Sequence, residues 1–232
     1  MQTDALYNAQ RTWDAIAESF DKTRQAPWRQ CIDFIATLNK NDVVIDCGCG
    51  NGRHLFPAAT RCSEALGVDI SKKLLSIVHQ RIRENKISNI TLLHADLAHL
   101  PVQENSMDAI LCIASLHNIQ RRENRHAAVR EMYRVLKPQG TALLSVWSRW
   151  QDRYRAHFAR QLFVRSRELG DIDIYWRQQN LNVPRFYHLY SKGEFIQELR
   201  DEGFSIEKVE DARLVSRRFP DNFFATVRKT II

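Results

Sequence analysis

The sequence lacks long apolar runs and metal-binding cysteine pairs. No stretch approaches the roughly 18 apolar residues that mark a membrane-spanning helix, and residues 1–15 hold no apolar segment typical of a signal peptide. The five cysteines are an odd number without a C-x-x-C pair, which argues against a disulfide framework or a four-thiolate zinc site in this chain. Reduced thiols are typical of the cytosol. We therefore expect a cytoplasmic protein without a signal peptide, membrane contact or bound metal.

Acidic residues are outnumbered by basic ones. The chain holds 27 Asp and Glu against 34 Lys and Arg, a formal charge of +7, which favours an anionic partner such as nucleic acid. Hydrophobic residues make up 44% of the 232 residues, so an intrinsically disordered chain is excluded. We predict a single domain over residues 1–232.

Short apolar strands alternate with helical patterns in the first two thirds of the chain. Strands are predicted at 43–45, 64–68, 90–94, 107–114 and 141–147, and helices at 71–85, with Ser71 as its N-cap, and at 122–136. This alternation is typical of an α/β fold with a parallel sheet covered on both faces. A helix at 192–202 and two final strands at 204–210 and 222–229 complete the pattern.

Two segments lie outside this alternation. Residues 1–38 are predicted to form N-terminal helices interrupted at Pro27, because apolar residues recur at spacings of three and four. Residues 149–190 carry many arginines and aromatics and show no clear strand. We interpret residues 149–190 as an insertion after the fifth strand, on the substrate side of the sheet.

The loop after the first strand carries the clearest functional signal. Residues 46–52 read DCGCGNG, and glycines allow tight turns and close approach of a ligand to the backbone. Ligands of open α/β sheets bind beyond the carboxyl ends of the strands. Arg53 occupies the last glycine position of the nicotinamide dinucleotide fingerprint, which argues against that cofactor.

Carboxylates also end the next two predicted strands. Asp69 ends the second strand, where it can accept both hydroxyls of a ribose. Asp96-Leu97 follows the third strand, where an adenine amino group could donate a hydrogen bond. Residues 112–118 end the fourth strand. Together these positions predict a nucleotide-like cofactor at one edge of the sheet.

The loop, Asp69, Asp96 and the VLKPQG turn at residues 135–140 together resemble a class I S-adenosylmethionine-dependent methyltransferase. The resemblance implies a doubly wound, Rossmann-like, seven-stranded, mostly parallel sheet with a reversed last strand, and S-adenosylmethionine as cofactor. It implies that the glycine loop approaches the methionine part, Asp69 the ribose and Asp96-Leu97 the adenine. The predicted cofactor-binding residues are Arg24, Asp46, Gly48, Cys49, Gly50, Gly52, Asp69, Ile70, Asp96, Leu97 and Ile113.

Further segments resemble one subfamily, the tRNA wobble-uridine carboxymethyl methyltransferases, which esterify 5-carboxymethyluridine. The matching segments are 13–28, 112–117, 145–147, 184–194 and 221–224, whereas residues 149–180 have no match and Asn118 replaces a second histidine. The resemblance implies a tRNA substrate. It also implies a small zinc-binding activator subunit at the third-strand edge, beside Ile90 and Leu92, and any zinc would belong to that partner.

Methylation of a carboxylate requires placement rather than a strong base, because a carboxylate is already a nucleophile at neutral pH. The candidate catalytic residues are His117, Arg24, Arg185 and His188. Arginine suits a carboxylate because its guanidinium binds both oxygens, and for Arg24 the carboxylate of the cofactor is favoured over that of the substrate. Residues 185–188, with Tyr187, are predicted to stack on the flipped uridine.

Three arginine clusters predict RNA binding. They comprise Arg121, Arg122 and Arg125; Arg149, Arg153, Arg155, Arg160, Arg165 and Arg167; and Arg213, Arg217 and Arg218. Phe163 is among the aromatics interleaved with the second cluster. Phosphate binding is the functional interpretation, with Arg121, Arg122, Arg153 and Arg155 as the chosen contacts, and a solvated helix face is the alternative for any one cluster.

Three functions are compatible with these observations. The first is a tRNA methyltransferase that acts on the carboxymethyl group of a wobble uridine. The second is a small-molecule methyltransferase, which needs the cofactor motifs but not the arginine clusters. The third is a non-catalytic RNA-binding or partner-binding module on the same fold, and the intact glycine loop with Asp69 argues against it.

Overall fold

The computed structural model describes residues 2–162 and 168–230, with side-chain surroundings from Asn8 onward. Its helices are α1 (Gln2–Thr23), α2 (Arg29–Ile35), α3 (Leu55–Ala59), α4 (Lys72–Glu84), α5 (Arg122–Val135), α6 (Arg155–Gln161) and α7 (Lys192–Asp201), with a short 3-10 helix at Leu116–Asn118. Its strands are β1 (Val43–Cys47), β2 (Glu64–Asp69), β3 (Ile90–His94), β4 (Met107–Ile113), β5 (Leu136–Trp147), β6 (Asp171–Trp176), β7 (Val183–His188), β8 (Phe204–Ala212) and β9 (Asn222–Lys229). Phe163, Arg165 and Arg167, which belong to the predicted RNA-binding cluster, lie outside these residues.

Seven of these strands form one sheet in the order β3-β2-β1-β4-β5-β9-β8. Strands β1 to β5 run parallel, and β9 is antiparallel to both β5 and β8. Because β1 to β5 are parallel, their carboxyl ends share one edge of the sheet, and the residues that follow these strands meet there. The predicted doubly wound, mostly parallel α/β sheet with a reversed last strand is confirmed.

Apolar side chains cover both faces of the sheet. One core packs α5 and α7 against the sheet through Val129, Met132 and Phe195. The other core packs α2, α3 and α4 through Phe34, Leu55 and other buried residues. Burying both faces explains why β1, β2 and β4 are nearly continuous apolar runs rather than alternating ones.

Helix α1 is fastened to the glycine-loop region by polar contacts. Asp14 accepts hydrogen bonds from the Ser71 hydroxyl at 2.6 Å and from the Lys73 backbone at 3.0 Å. Ser71 also accepts from the Leu74 backbone, which confirms its predicted role as N-cap of α4. The Asp21 carboxylate pairs with Arg81 of α4 at 2.7 Å. These contacts hold α1 across the carboxyl edge of the sheet.

The prediction that residues 149–190 contain no clear strand is wrong. Strands β6 and β7 form an antiparallel pair separate from the main sheet, with Ile174 opposite Arg185. Strand β6 alternates acidic and apolar residues over 171–174, which was a usable strand signal, whereas Pro184 and Arg185 interrupt the alternation in β7. The pair docks on α1, where the Trp176 indole donates to the Ser19 hydroxyl at 2.8 Å. A third small core of Phe158, Ile174, Tyr187 and Leu189 stabilises the segment.

No helix in the part of the chain that the structure describes combines the length and apolar character needed to cross a membrane.

Candidate active site

A cavity of about 560 Å³ opens at the carboxyl edge of the sheet, between α1 and the β6–β7 hairpin. It brings together most of the residues predicted for cofactor and substrate, although the chain supplies them from six separate regions. Its lining includes Arg24, Gly48, Cys49, Gly50, Asp69, Ile70, Asp96, Leu97, Ile113, His117, Arg185 and Tyr187. The predicted residues outside this lining are Asp46, Gly52, Arg121, Arg122, Arg153, Arg155 and His188.

The glycine loop is shaped for close approach of a ligand. Gly48, Gly50 and Gly52 all have positive φ, at 78°, 55° and 82°. A Cβ on Gly48 would lie 2.2 Å from the Ser115 hydroxyl, so any larger residue would collide with that side chain. The loop is drawn towards β2, because the amides of Gly48 and Cys49 both donate to the Val68 carbonyl. Glycine is therefore required here by conformation and by space.

Asp69 braces the loop and faces the cavity. One of its oxygens accepts from the Gly50 amide and the other from the Ser71 amide, each at 2.8 Å. A carboxylate has about four acceptor positions, so both oxygens can accept further donors from a ligand. Burial raises the pKa of Asp69, and the hydrogen bonds from Ser71 and Gly50 act in the opposite direction.

Asp46 lies at the end of β1, just before the loop, and is 1% exposed. Its Oδ2 has no hydrogen-bond partner among the described residues. Burial raises the pKa of Asp46 to about 7, and the nearby Asp69 charge adds to this while Arg53 opposes it. Buried carboxylate oxygens normally have partners, so this oxygen can accept a donor that the described residues do not supply.

The opposite wall of the cavity is aromatic and positively charged. The Arg185 guanidinium is 4.8 Å from the ring centroid of Trp176 and 5.0 Å from that of Tyr187. Arg185 is only 8% exposed, its Nε has no hydrogen-bond partner, and it forms no ion pair within the described ranges. Burial lowers the pKa of Arg185 and neighbouring Arg24 acts in the same direction, yet arginine remains charged. A buried cation without a carboxylate is a site for an anion.

His117 lies at the end of the β4 region and packs between aromatic rings. Its ring stacks on Tyr187 at 5.3 Å and lies 5.4 Å from Trp147, measured between ring centroids. The Trp147 backbone amide donates to Nδ1 at 3.1 Å, so the proton of the neutral ring is on Nε2. Burial lowers the pKa of His117 to about 3, and Arg185 and His188 contribute. His117 is therefore neutral and available as a hydrogen-bond donor.

Two further arginines reach the cavity. Arg24 follows α1, its guanidinium lies 5.4 Å from the Trp176 ring, and its carbonyl accepts from the Asn51 side chain. Arg53, directly after the glycine loop, lies 4.6 Å from the Trp28 ring. Arg53 was not among the predicted site residues, although its position directly after the glycine loop could have indicated it. The other lining residues that it left unassigned include Trp28, His54, Trp147, Asp173, Trp176 and Phe186.

His188 is placed differently from its prediction as a cavity residue. It is fully buried and does not line the cavity. Its Nδ1 is 2.8 Å from Asp171 and its Nε2 is 3.0 Å from Glu194, so carboxylates occupy both ring nitrogens. In a strand, successive side chains point to opposite sides, which places Tyr187 and His188 in different surroundings. Its position indicates a structural role in joining the hairpin to α7.

The same region holds a group of three potential metal ligands, Glu168, His188 and Glu194, whose donor atoms lie within 4.8 Å of one another. Arg125 pairs with Glu168 at 2.6 Å, and Arg149 pairs with Glu194. These two guanidiniums already neutralise the glutamates. The cluster is therefore a partly exposed ionic network around the buried His188 and carries no argument for a metal centre.

The predicted RNA contacts lie on the surface outside the cavity. Arg121, Arg122, Arg153 and Arg155 are all exposed. Arg125, which the sequence grouped with Arg121 and Arg122 on a substrate-facing loop, is instead a fully buried residue of α5. That placement is wrong because residue 125 already belongs to the first turns of the helix, where it faces the ionic network rather than the loop.

Comparisons with known proteins agree with this geometry. Residues 45–144 match the family model described as a methyltransferase domain. A Methanosarcina mazei S-adenosylmethionine-dependent methyltransferase superposes with a TM-score of 0.75 at 19% identity, covering 89% of this chain and all of that one. A methyltransferase solved with the Haloferax volcanii Trm112 methyltransferase activator gives a TM-score of 0.70 at 16% identity, covering 97% of this chain and 98% of that chain. At these identities the two structures show the fold alone.

Curated relatives are more specific. An Arabidopsis thaliana tRNA (carboxymethyluridine(34)-5-O)-methyltransferase is 36% identical over 142 residues, covering 61% of this chain. The chain spans only 20–33% of the length of this and the next three curated relatives it matches. A relative of the same name from Schizosaccharomyces pombe is 30% identical over 219 residues, covering 84% of this chain and 88% of that protein. The chain therefore belongs to the tRNA (carboxymethyluridine(34)-5-O)-methyltransferase family.

Proposed function

We propose that this protein uses S-adenosylmethionine to methylate the carboxylate of 5-carboxymethyluridine at the wobble position of tRNA. The observation that carries the proposal is Arg185, a buried guanidinium without an acidic partner that lies in the same cavity as the glycine loop. A substrate with a carboxylate would complete this site. The nucleoside in this proposal comes from the names of the relatives, and the carboxylate-binding role comes from the residues of the cavity.

The cofactor is assigned to the wall formed by the ends of β1 to β4. The unpartnered Asp46 oxygen suits the amino group of the methionine part, and the free acceptor positions of Asp69 suit the ribose hydroxyls. Asp96 and Leu97 follow β3 and line the far end, where an adenine fits. Arg24 is a candidate for the cofactor carboxylate. When bound, S-adenosylmethionine supplies an electrophilic methyl group.

The opposite wall positions the nucleophile. Arg185 binds the substrate carboxylate, and the rings of Trp147 and Tyr187, stacked at 4.9 Å, stand beside it. Neutral His117 donates through Nε2 to orient one carboxylate oxygen without protonating it. Transfer of the methyl group breaks its bond to the cofactor sulfur and forms a bond to the carboxylate oxygen, which leaves a methyl ester and S-adenosylhomocysteine. No proton is transferred, so the reaction requires no general base. Orientation of this kind can supply roughly 7–11 kcal/mol of the barrier.

An activator subunit is part of the proposal. Strand β3 pairs only with β2 and forms an edge of the sheet. Ile90 and Leu92 on this strand are half-buried, and Leu92 borders an open groove of about 680 Å³ shared with α4. An exposed apolar edge is a template for an added strand. A neighbour of the same fold was solved in complex with the Haloferax activator, which supports an activator subunit as a partner.

The test uses tRNA that carries 5-carboxymethyluridine, with S-adenosylmethionine labelled in its methyl group, with and without a zinc-binding activator. Mass spectrometry of the digested nucleosides should show labelled 5-methoxycarbonylmethyluridine, and mild alkali should release the label as methanol because an ester is formed. The matched control is the same tRNA with unmodified uridine, which offers no carboxylate. No ester in either arm, or labelling of the control tRNA, would overturn the proposal.

A further inference from the structure

Exposed apolar side chains are concentrated on one surface of the protein. Seven large hydrophobic residues are exposed in the described ranges, and four of them are Trp150, Leu214, Val215 and Phe219. Val215 alone is 90% exposed. We call the surface formed by residues 150–155 and 213–219 the loop platform. Exposed apolar groups in one place indicate binding, because isolated ones would be scattered.

The loop platform is held in shape by two carboxylates. Asp221 accepts the amides of Leu214, Val215 and Ser216 at 2.6–2.8 Å. Asp152 accepts the amides of Arg217, Arg218 and Phe219 at 2.8–3.0 Å. Six consecutive amides are therefore anchored. These hydrogen bonds fix the loop in the conformation that exposes Val215 and Phe219 to solvent.

The platform stands beside the active-site cavity. Strand β8 runs parallel to β5, so the loop between β8 and β9 lies at the same edge of the sheet as the glycine loop. The amide of Ser148 donates to the Asp221 carbonyl, and Trp147 pairs with Asn222. Trp147 lines the cavity. A polymer that inserts one unit into the cavity would pass over this surface.

The charge of the platform selects an anionic partner. Arg153, Arg155, Arg213, Arg217 and Arg218 are exposed and form no ion pair with an acid in the part of the chain that is described. The two nearest acids, Asp152 and Asp221, are occupied by backbone amides. The Arg155 guanidinium lies 4.7 Å from the Phe219 ring centroid. Exposed rings and guanidiniums side by side bind nucleobases by stacking and phosphates by charge.

We infer that the loop platform is a second RNA-binding site, which grips nucleotides flanking the one inserted in the cavity. This inference rests on the proposed function, in that the polymer is the tRNA substrate. Arg213, Arg217 and Arg218 bind phosphates, while Phe219 and Trp150 stack on unpaired bases. Val215 supplies an apolar contact. We assign the loop platform to RNA, and the experiment tests a protein partner as the alternative.

The experiment replaces Arg213, Arg217 and Arg218 together by Gln and measures tRNA affinity against salt concentration. Each lost phosphate contact lowers the slope of log K against log salt by about 0.7–0.9, so the slope should fall by about 2–3 and affinity by at least tenfold. The matched control removes three charges at the opposite edge of the sheet, as Lys40→Gln, Lys86→Gln and Arg200→Gln. Cofactor affinity, measured by calorimetry, should be unchanged in both variants.

A second variant, Val215→Ser with Phe219→Ser, tests the apolar contact without altering charge. These side chains are exposed, so folding is not at risk, and tRNA affinity should fall several-fold with the salt slope unchanged. Equal affinity of the arginine variant and its control would overturn the inference, as would absence of tRNA binding by the wild type. Retained tRNA affinity with loss of a co-purified protein would assign the platform to that protein instead.

The two proposals fail in distinguishable ways. If the wild type binds tRNA through the platform but forms no methyl ester, the proposed reaction is wrong and the RNA site stands. If the ester forms at the wild-type rate in the arginine variant at limiting tRNA, the reaction stands and the platform does not bind the substrate.

Discussion

The two walls of the active-site cavity are built in different ways. The cofactor wall uses short segments that directly follow β1, β2 and β3, and its groups are backbone amides and carboxylates such as Asp69. The substrate wall combines Arg185, His117, Trp147 and Trp176, which come from four different segments and meet only in the folded chain. The cofactor wall is formed by local motifs at the strand ends, and the substrate wall is formed by residues that are distant in the sequence.

The walls also differ in charge. Asp46 and Asp69 are buried near each other, and their mutual repulsion adds to the raised pKa of Asp46, whereas Arg185 is buried beside aromatic rings and has no ion-pair partner among the described residues. Each wall alone is electrostatically unfavourable. A ligand with a cationic amine at one end, and a substrate with a carboxylate at the other, would relieve both. The cavity therefore carries the charge pattern of two ligands rather than one.

The largest expected effect comes from a substitution in the cofactor wall. Gly48→Ala places a Cβ 2.2 Å from the Ser115 hydroxyl on a backbone with φ of 78°, so the loop must shift. Cofactor affinity should fall by at least 100-fold, measured by calorimetry. The matched control is Gly193→Ala, because the added methyl group meets no atom within 4 Å there. Undiminished binding by the Gly48 variant would contradict the assignment of the loop.

The second effect comes from a substitution in the substrate wall that leaves the cofactor wall unchanged. Arg185→Met should lower kcat/KM for tRNA by roughly 10²–10³-fold, about 3–4 kcal/mol, because the substrate carboxylate loses its cation. Cofactor affinity should stay within about twofold. Arg185→Lys retains the charge without the planar fork and should restore part of the activity. If Met and Lys variants lose equal activity, Arg185 acts by packing against Trp176 and not by charge.

A third, smaller effect tests His117. His117→Ala should lower turnover about 10–100-fold while cofactor affinity is kept, because only one orienting hydrogen bond is lost. The pKa of His117 is about 3, so the ring stays neutral and wild-type kcat should show no inflection from this group between pH 5 and 8. An inflection near pH 6.5 that disappears in the Ala variant would show that His117 titrates and has another role.

The smallest effect concerns Asp46 and pH. Its folded-state pKa of about 7 lies above the unfolded value, so its contribution to stability is present at low pH and is lost as pH rises through about 7. Asp46→Asn should therefore raise the Tm of the ligand-free protein at pH 8 by a few degrees, and by less at pH 5.

The same variant should weaken cofactor binding at pH 8, because the amide carries no charge for the amine. Wild-type cofactor affinity should fall as pH drops below about 7, since Asp46 becomes protonated. Equal affinity at pH 8 and pH 6 would contradict a bond between Asp46 and a cationic amine.

The same difference between local and distant residues explains which predictions the structure confirms. The strands up to β4, the Ser71 N-cap and the final two strands follow from local patterns of apolar residues, and the structure confirms them. The β6–β7 hairpin was missed although β6 alternates, because both strands are six residues long, β7 lacks the alternation, and the pair is stabilised by α1 and a small separate core.

The positions of individual side chains were harder to predict. Arg125 and His188 resemble candidate ligand-binding residues in the sequence, yet both are buried in an ionic network with Glu168, Glu194 and Asp171. Their acidic partners are up to 43 residues away, so no local pattern distinguishes a structural ion pair from a binding residue. The roles assigned to the cavity residues, the single domain and the cytoplasmic location stay predictions.

The sequence alone determined the α/β class, the glycine loop and the carboxylates at the strand ends. These signals are local, because a strand, its end and the loop after it are neighbours in the chain. Only the tertiary structure decided that Arg185 lies in the cavity and has no ion-pair partner among the described residues, whereas Arg125 pairs with Glu168. Whether a buried charge has a partner depends on contacts between distant segments, and the sequence order does not contain that information.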